Sequence, residues 1–191
     1  MKKIGLYFGT FNPIHIGHLI LANHFAETTD LDEVWFVITP LSPFKKKKSL
    51  LGNHHRLAIA NIAVEDFPKL KTSDIEFKLQ QPNYTVNTLI HMEEKYPDHQ
   101  FCLIMGEDNL NSLHKWKNYE MILEHYDIFI YQRPGNVSEM YADHEGVHYL
   151  DAPLLDISSS FIRKLCKEGK SIRYLVVDNV YRYITDSSMY K

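Results

Sequence analysis

Cysteine is scarce. The 191-residue chain has two, Cys102 and Cys166, and they form no Cys-x-x-Cys pair. Nothing here suggests a disulfide framework, so both read as buried thiols, which suits a reducing cytoplasm. Long apolar runs are missing too. None approaches the roughly 20 residues a spanning helix needs. At the N-terminus Pro13 and His15 interrupt the only short apolar stretch, which leaves no secretory core of about 7 to 15 residues. The expectation is a soluble, unexported, cytoplasmic protein with no membrane partner. A large excess of one charge is also absent: 21 basic against 24 acidic residues gives a net charge of -3. That disfavours a protein that coats nucleic acid. It does not bar a local phosphate site, which needs only a few cations and some backbone N–H groups. There is no internal repeat, no linker, and no low-complexity tract beyond Lys45–Lys48.

What is present is enough apolar residue, 45% of the chain, to fill a core without metal or disulfide staples. Residues 3–8 are a short run of β-formers ending at Gly9. Residues 33–40 and 100–106 are runs of bulky apolar residues, as expected of strands buried on both faces. A fourth strand lies in 127–135 and a short one around Val147–Leu150. Helical patterns follow from about Gly17, over 54–67, from Thr85 with that residue or a neighbour as cap, and over 158–168 and 179–186. Residues 69–79 alternate enough for one or two short strands, and 107–123 reads as two short helical pieces. Strand and helix in repeated alternation predict a Rossmann-like, doubly wound parallel sheet. The whole of 1–191 reads as one α/β domain, with a small helical C-terminal part over 158–186. Ligands bind such sheets at the carboxyl ends of the strands. The segments starting there are the chemically suggestive ones: 9–18, 39–48, 106–110 and 132–135.

The first of them reads GTFNPIHIGH, residues 9–18. Gly9 and Gly17 stand where a backbone must approach a ligand closely or take a positive φ. His15 and His18 are three apart and share a face in a helical first turn. A helix N-terminus beneath two imidazoles makes an anion site suited to phosphate. Two histidines with no third ligand make a poor zinc site. Neither the P-loop pattern nor Gly-x-Gly-x-x-Gly occurs. Near the other end, Ile157-Ser158-Ser159-Ser160-Phe161-Ile162-Arg163 opens a helix with hydroxyls and places an arginine one turn on, where it can fork across phosphate oxygens.

These two strings resemble the (H/T)xGH and ISSTxIR signatures of the nucleotidyltransferase superfamily. Within it, three more stretches are similar to the nicotinate-nucleotide adenylyltransferases of bacteria: Asn83-Tyr84-Thr85-Val86-Asn87-Thr88-Leu89, Gly106-Glu107-Asp108-Asn109-Leu110 with Trp116 and Lys117 beyond, and Arg133-Pro134-Gly135. The resemblance runs in order over residues 4–184. Phe8 replaces a usual glycine, Asn12 and Asn87 stand where aspartate is common, and Val177 stands where proline is frequent.

The resemblance implies transfer of the AMP moiety of ATP to nicotinate mononucleotide, giving deamido-NAD and pyrophosphate in NAD biosynthesis. His15, His18, Lys45 and Arg163 would be the catalytic set. ATP would be held by Gly9, Thr10, Phe11, His15, Gly17, His18, Gly106, Asp108, Ile157, Ser158, Ser159 and Arg163, with Asp108 on its ribose. Nicotinate mononucleotide would meet Asn12, Lys45, Tyr84, Thr85, Trp116 and Arg133, with Trp116 stacked on the pyridine. Mg²⁺ would accompany ATP, held mainly by substrate oxygens and water, and no protein metal cage is expected. Arg56 reads as part of a helix, and the histidines other than His15 and His18 as structural or surface residues. Three matters stay open on sequence: acid against amide or phosphopantetheine as acceptor, a nucleotide sensor without catalysis, and the oligomeric state, a homo-oligomer included.

Overall fold

β1 (Lys2–Gly9) forms the middle of a sheet because its residues point alternately to two apolar layers. Ile4 and Leu6 face one layer, and Tyr7 faces the other. The computed structural model describes residues 1–40, 50–132, 140–153 and 155–190. After β1 come α1 (Ile16–Thr28), β2 (Glu33–Ile38), α2 (Asn53–Val64), β3 (Leu70–Ser73), a 3₁₀ turn (Ile75–Lys78) and α3 (Thr85–Lys95). Then follow β4 (His99–Gly106), α4 (Glu107–Asn111), a second 3₁₀ turn (Leu113–Lys115), α5 (Tyr119–His125), β5 (Ile128–Tyr131), β6 (Val147–Leu150), α6 (Ser159–Lys167) and α7 (Asp178–Asp186).

The six strands pair in the order β3-β2-β1-β4-β5-β6, all parallel. All six residues of β2 are buried, which is why its sequence shows no polar alternation. One core layer joins the sheet to α1, α2, α6 and α7. The other joins it to α3, α4 and α5. The expected doubly wound parallel sheet is thus present. The chain leaves β1 toward β2 on one side and returns to β4 on the other, so the crevice between the ends of β1 and β4 is the switch point. Among the described residues, no helix is long and apolar enough to cross a membrane.

Details differ from the sequence reading. Residues 69–79 give one strand and a 3₁₀ turn rather than two strands. α3 is capped by Tyr84, which makes no side-chain cap bond. The two short helical pieces expected over 107–123 are present as α4 and α5, with a 3₁₀ turn between them, and Asn118, in the left-handed region at φ 51°, starts the second. Cys102 is buried and its thiol pushed up to about 12 by desolvation, whereas Cys166 is only half-buried.

Candidate active site

The loop after β1 is shaped by its own rings. Phe11, not a glycine, takes the positive φ, at 41°. Its side chain is 3% exposed and lies edge-on to Tyr7, Phe36 and His18. A Cβ on Gly9 would come within 2.7 Å of that ring, so Gly9 makes room for Phe11. The Phe11 ring is thus enclosed by the protein.

His15 caps α1 in extended conformation, and His18 lies one turn on. The two rings stack, with centroids 3.7 Å apart and planes 24° apart. The backbone N–H of His15 donates to Nδ1 of His18 at 3.2 Å. That bond orients the His18 ring and places the proton of a neutral imidazole on Nε2. A Cβ on Gly17 would meet Nδ1 of His15 at 3.2 Å and Cε1 at 3.3 Å. Gly17→Ala should therefore keep or raise helix stability while displacing His15 by a few tenths of an ångström. We expect kcat to fall about tenfold, because small misplacements of catalytic groups are costly. Steady-state kinetics beside a melting curve checks this, and an unchanged kcat would remove the packing role.

The C-terminal serines dock onto this loop. Ser158 caps α6, accepting from the N–H of Phe161 at 3.2 Å. Ser159 Oγ donates to the carbonyl of Pro13 at 2.8 Å. Arg163 donates from Nη1 to the carbonyl of Asn12 at 2.8 Å and from Nη2 to Ser160 Oγ at 3.3 Å. The two signature segments, far apart in sequence, thus meet at one end of the sheet. Ile157 is packed, half-buried, against the core layer beneath. Asn12 Oδ1 accepts from the N–H of Leu51 at 3.2 Å and from the hydroxyl of Tyr190 at 3.0 Å, so its side chain works inside the protein.

Beside this loop, at the ends of β1, β2 and β4, lies a cavity of about 260 Å³. Thr10, Thr39, Tyr84, Thr85 and Trp116 line it. Trp116 is half-buried, and the ammonium of Lys117 sits 5.0 Å from the Tyr84 ring centroid. The floor includes Glu76, which is 2% exposed and accepts from the Thr88 hydroxyl at 2.7 Å. Gly106 ends β4 and caps α4, where a Cβ would lie 2.6 Å from Oδ1 of Asp108. Asp108 itself is exposed and is not the cap.

Burial moves two groups in opposite directions. It lowers the His15 imidazole from 6.5 to about 4, and it raises the Glu76 carboxyl from 4.5 to about 7, offset in part by hydrogen bonds from Thr88 and Thr39. For His15 the unfolded chain binds the proton first, so stability is lost as pH falls from 6.5 toward 4. For Glu76 the unfolded chain loses the proton first, so stability is lost as pH rises from 4.5 toward 7. The two trends offset each other in the wild type. Each should appear in its own variant, with an amplitude of roughly 3 kcal/mol at most. Relative to wild type, His15→Asn should gain stability as pH falls through 6.5 to 4. Glu76→Gln should gain it as pH rises through 4.5 to 7. Melting temperatures across pH 4 to 8 would show both, and parallel curves would contradict both shifts.

Residues 6–165 match the cytidylyltransferase-like family. A relative from Flavobacterium psychrophilum, described as a probable nicotinate-nucleotide adenylyltransferase, is 58% identical over 191 residues, covering 99% of each chain. The chain belongs to the nicotinate-nucleotide adenylyltransferase family. The likeness extends to a probable adenylyltransferase of the same name from Bacillus licheniformis, 33% identical over 192 residues and 100% of both chains. In shape the adenylyltransferase is similar to the Plasmodium falciparum nicotinic acid mononucleotide adenylyltransferase complexed with NaAD. The TM-score is 0.81 at 22% identity, covering 100% of this chain and 98% of that one, and the likeness concerns the fold.

In this adenylyltransferase the structure gathers most of the expected site residues and separates a few by role. Gly9, Thr10, His15, Gly17, His18, Ser158, Ser159 and Arg163 surround one strand end, while Tyr84, Thr85 and Trp116 border the cavity. Lys45 and Arg133 lie outside the described residues. Arg56 was expected only to build a helix. It is fully buried and holds the loop after β1, donating to the carbonyls of Thr10, Thr39 and Leu51 and to Asn53 Oδ1. Glu76 and Tyr190 also escaped the sequence reading. The signal for Arg56 was an arginine in an otherwise apolar helical stripe; Glu76 and Tyr190 carried none.

Proposed function

We propose that the chain joins nicotinate mononucleotide to the AMP moiety of ATP, releasing pyrophosphate and forming deamido-NAD. The observation that carries this is the docking of the Ser158–Arg163 helix start onto the His15–His18 loop, directly beside a cavity bordered by Trp116. The anion site suits a triphosphate and the cavity suits a flat ring. A 5′-phosphate oxygen of the mononucleotide attacks the α-phosphorus of ATP in line, and the bond to the bridging oxygen breaks as pyrophosphate leaves. The attacking oxygen is already anionic, so the protein needs no nucleophile of its own. Its work is positioning and charge neutralisation.

In this reading His15, His18 and Arg163 steady the phosphates, with Lys45 assisting. Gly9, Thr10, the main chain of Phe11, Gly17, Ile157, Ser158 and Ser159 shape the ATP side, with Gly106 and Asp108 at its ribose. Tyr84, Thr85 and Trp116 receive the pyridine, Arg133 completes the mononucleotide side, and Asn12, whose Oδ1 is held by Leu51 and Tyr190, acts by shaping the loop rather than by touching the substrate. Among the described residues no group of three His, Cys, Asp or Glu could hold a metal ion. Mg²⁺ would be carried on the triphosphate, where it would screen phosphate charge. We take the chain as a single domain working in the cytoplasm.

The decisive assay compares nicotinate and nicotinamide mononucleotides with pyrophosphate detection. Preference for the amide would overturn the acid assignment, and ATP binding without pyrophosphate release would point to a sensor. Trp116→Ala should raise KM for the mononucleotide by about tenfold and leave KM for ATP nearly unchanged. Equal effects on the two would make Trp116 a packing residue.

A further inference from the structure

Two buried side-chain oxygens at the cavity have no hydrogen-bond partner among the described residues: Oε2 of Glu76 and Oδ1 of Asn83. Both residues line the cavity, and they are only 2% and 5% exposed. The other polar atom of each side chain has a partner. Glu76 Oε1 accepts from Thr88 at 2.7 Å, and Thr39 also bonds the carboxyl. Asn83 Nδ2 donates to the backbone carbonyl of Glu76 at 3.1 Å. The pair is therefore locked in place, each member with one acceptor left over. Leaving such atoms unpaired costs about 1–3 kcal/mol apiece, so a ligand or water is expected against them.

Position in the cavity indicates which ligand group. Thr39 pairs with the end of β1, its N–H donating to the carbonyl of Gly9 at 2.9 Å, and Arg56 bonds the carbonyls of Thr10 and Thr39 together. That side of Glu76 is the phosphate end of the site. Thr88 lies one turn inside α3, whose start carries Tyr84 and Thr85 at the ring end. Glu76 stands between the two ends. In a mononucleotide, the part between phosphate and ring is the ribose, whose adjacent hydroxyls are donors.

We propose that Glu76 and Asn83 form a hydroxyl-recognition site on the cavity floor that takes the ribose of the mononucleotide and selects it over deoxyribose. This rests on the substrate reading given above. A carboxyl whose pKa burial raises to about 7 can accept from a hydroxyl when ionised or donate to it when protonated, which suits a sugar hydroxyl.

The test measures kcat/KM for nicotinate mononucleotide and for its 2′-deoxy and 3′-deoxy forms at saturating ATP. Wild type should prefer the ribose compound about 10- to 100-fold over at least one deoxy form, the range expected when a buried polar site loses its partner. In Glu76→Gln, which keeps an oxygen for Thr88 but fixes an amide at the other position, that ratio should shrink by about fivefold or more. Asn83→Ala should shrink it too and serves as the second variant. A merely structural role lowers kcat/KM for all three compounds together and leaves the ratio unchanged. A wild-type ratio near one for both deoxy forms, or an unchanged ratio in both variants, overturns the proposal. Absence of turnover with nicotinate mononucleotide itself would overturn the substrate reading, a result distinct from an equal ratio.

Discussion

His18→Ala should lower kcat by about 100- to 1,000-fold while leaving the melting temperature within a few degrees of wild type. The size of the effect follows from the role proposed for the ring at the reacting phosphate. With Nδ1 accepting from the backbone N–H of His15, a neutral ring carries its proton on Nε2, and on the proposed mechanism that N–H is the group that meets the developing charge. The small stability effect follows from position. His18 is half-buried in the first turn of α1, and alanine is a good helix former there. Two conservative variants separate the ring's roles. His18→Asn can still accept from the His15 N–H but has nothing at the Nε2 position, and should be as slow as alanine. His18→Gln extends an amide toward that position and should recover part of the rate. Near-wild-type kcat in His18→Ala would remove His18 from the chemistry.

Arg56→Met should lower stability by about 3 kcal/mol, or roughly 6–12 °C in melting temperature for a chain of this size. Methionine nearly fills the volume, so the loss is one of hydrogen bonding rather than a cavity. The carbonyls of Thr10, Thr39 and Leu51 would each lose a buried donor. Because desolvation already opposes the Arg56 charge, these bonds are what keep the guanidinium inside. The activity defect should exceed the stability defect. At a temperature where the variant is fully folded, KM for ATP should still be several-fold higher, since Thr10 and Thr39 have lost their common anchor. Arg56→Lys retains the charge but not the fork, and should recover little. Melting curves with kinetics at 15 °C below the variant's midpoint would check this. A stability loss with unchanged KM would confine Arg56 to the scaffold.

The stacking of the His15 and His18 rings explains why the pair is compact yet tolerable. Burial keeps His15 neutral in the protein alone, so two like charges do not face each other at 3.7 Å. A triphosphate would supply the negative charge that favours protonation.

The sequence by itself determined the strands, most helices and both signature segments. Those are local matters: a run such as Val34–Ile38 is buried on both faces because every residue in it is apolar, and serines before Phe161 cap a helix through bonds two or three residues long. It also named the loops at the strand ends, because parallel connections leave ligand sites there. Tertiary structure decided how polar groups far apart in the chain are satisfied. Arg56 reaching Thr10, Tyr190 reaching Asn12, Arg163 reaching Asn12, and Glu76 set between Thr39 and Thr88 are pairings across the fold. No spacing encodes them, since a buried polar atom takes whichever partner packing brings within about 3 Å.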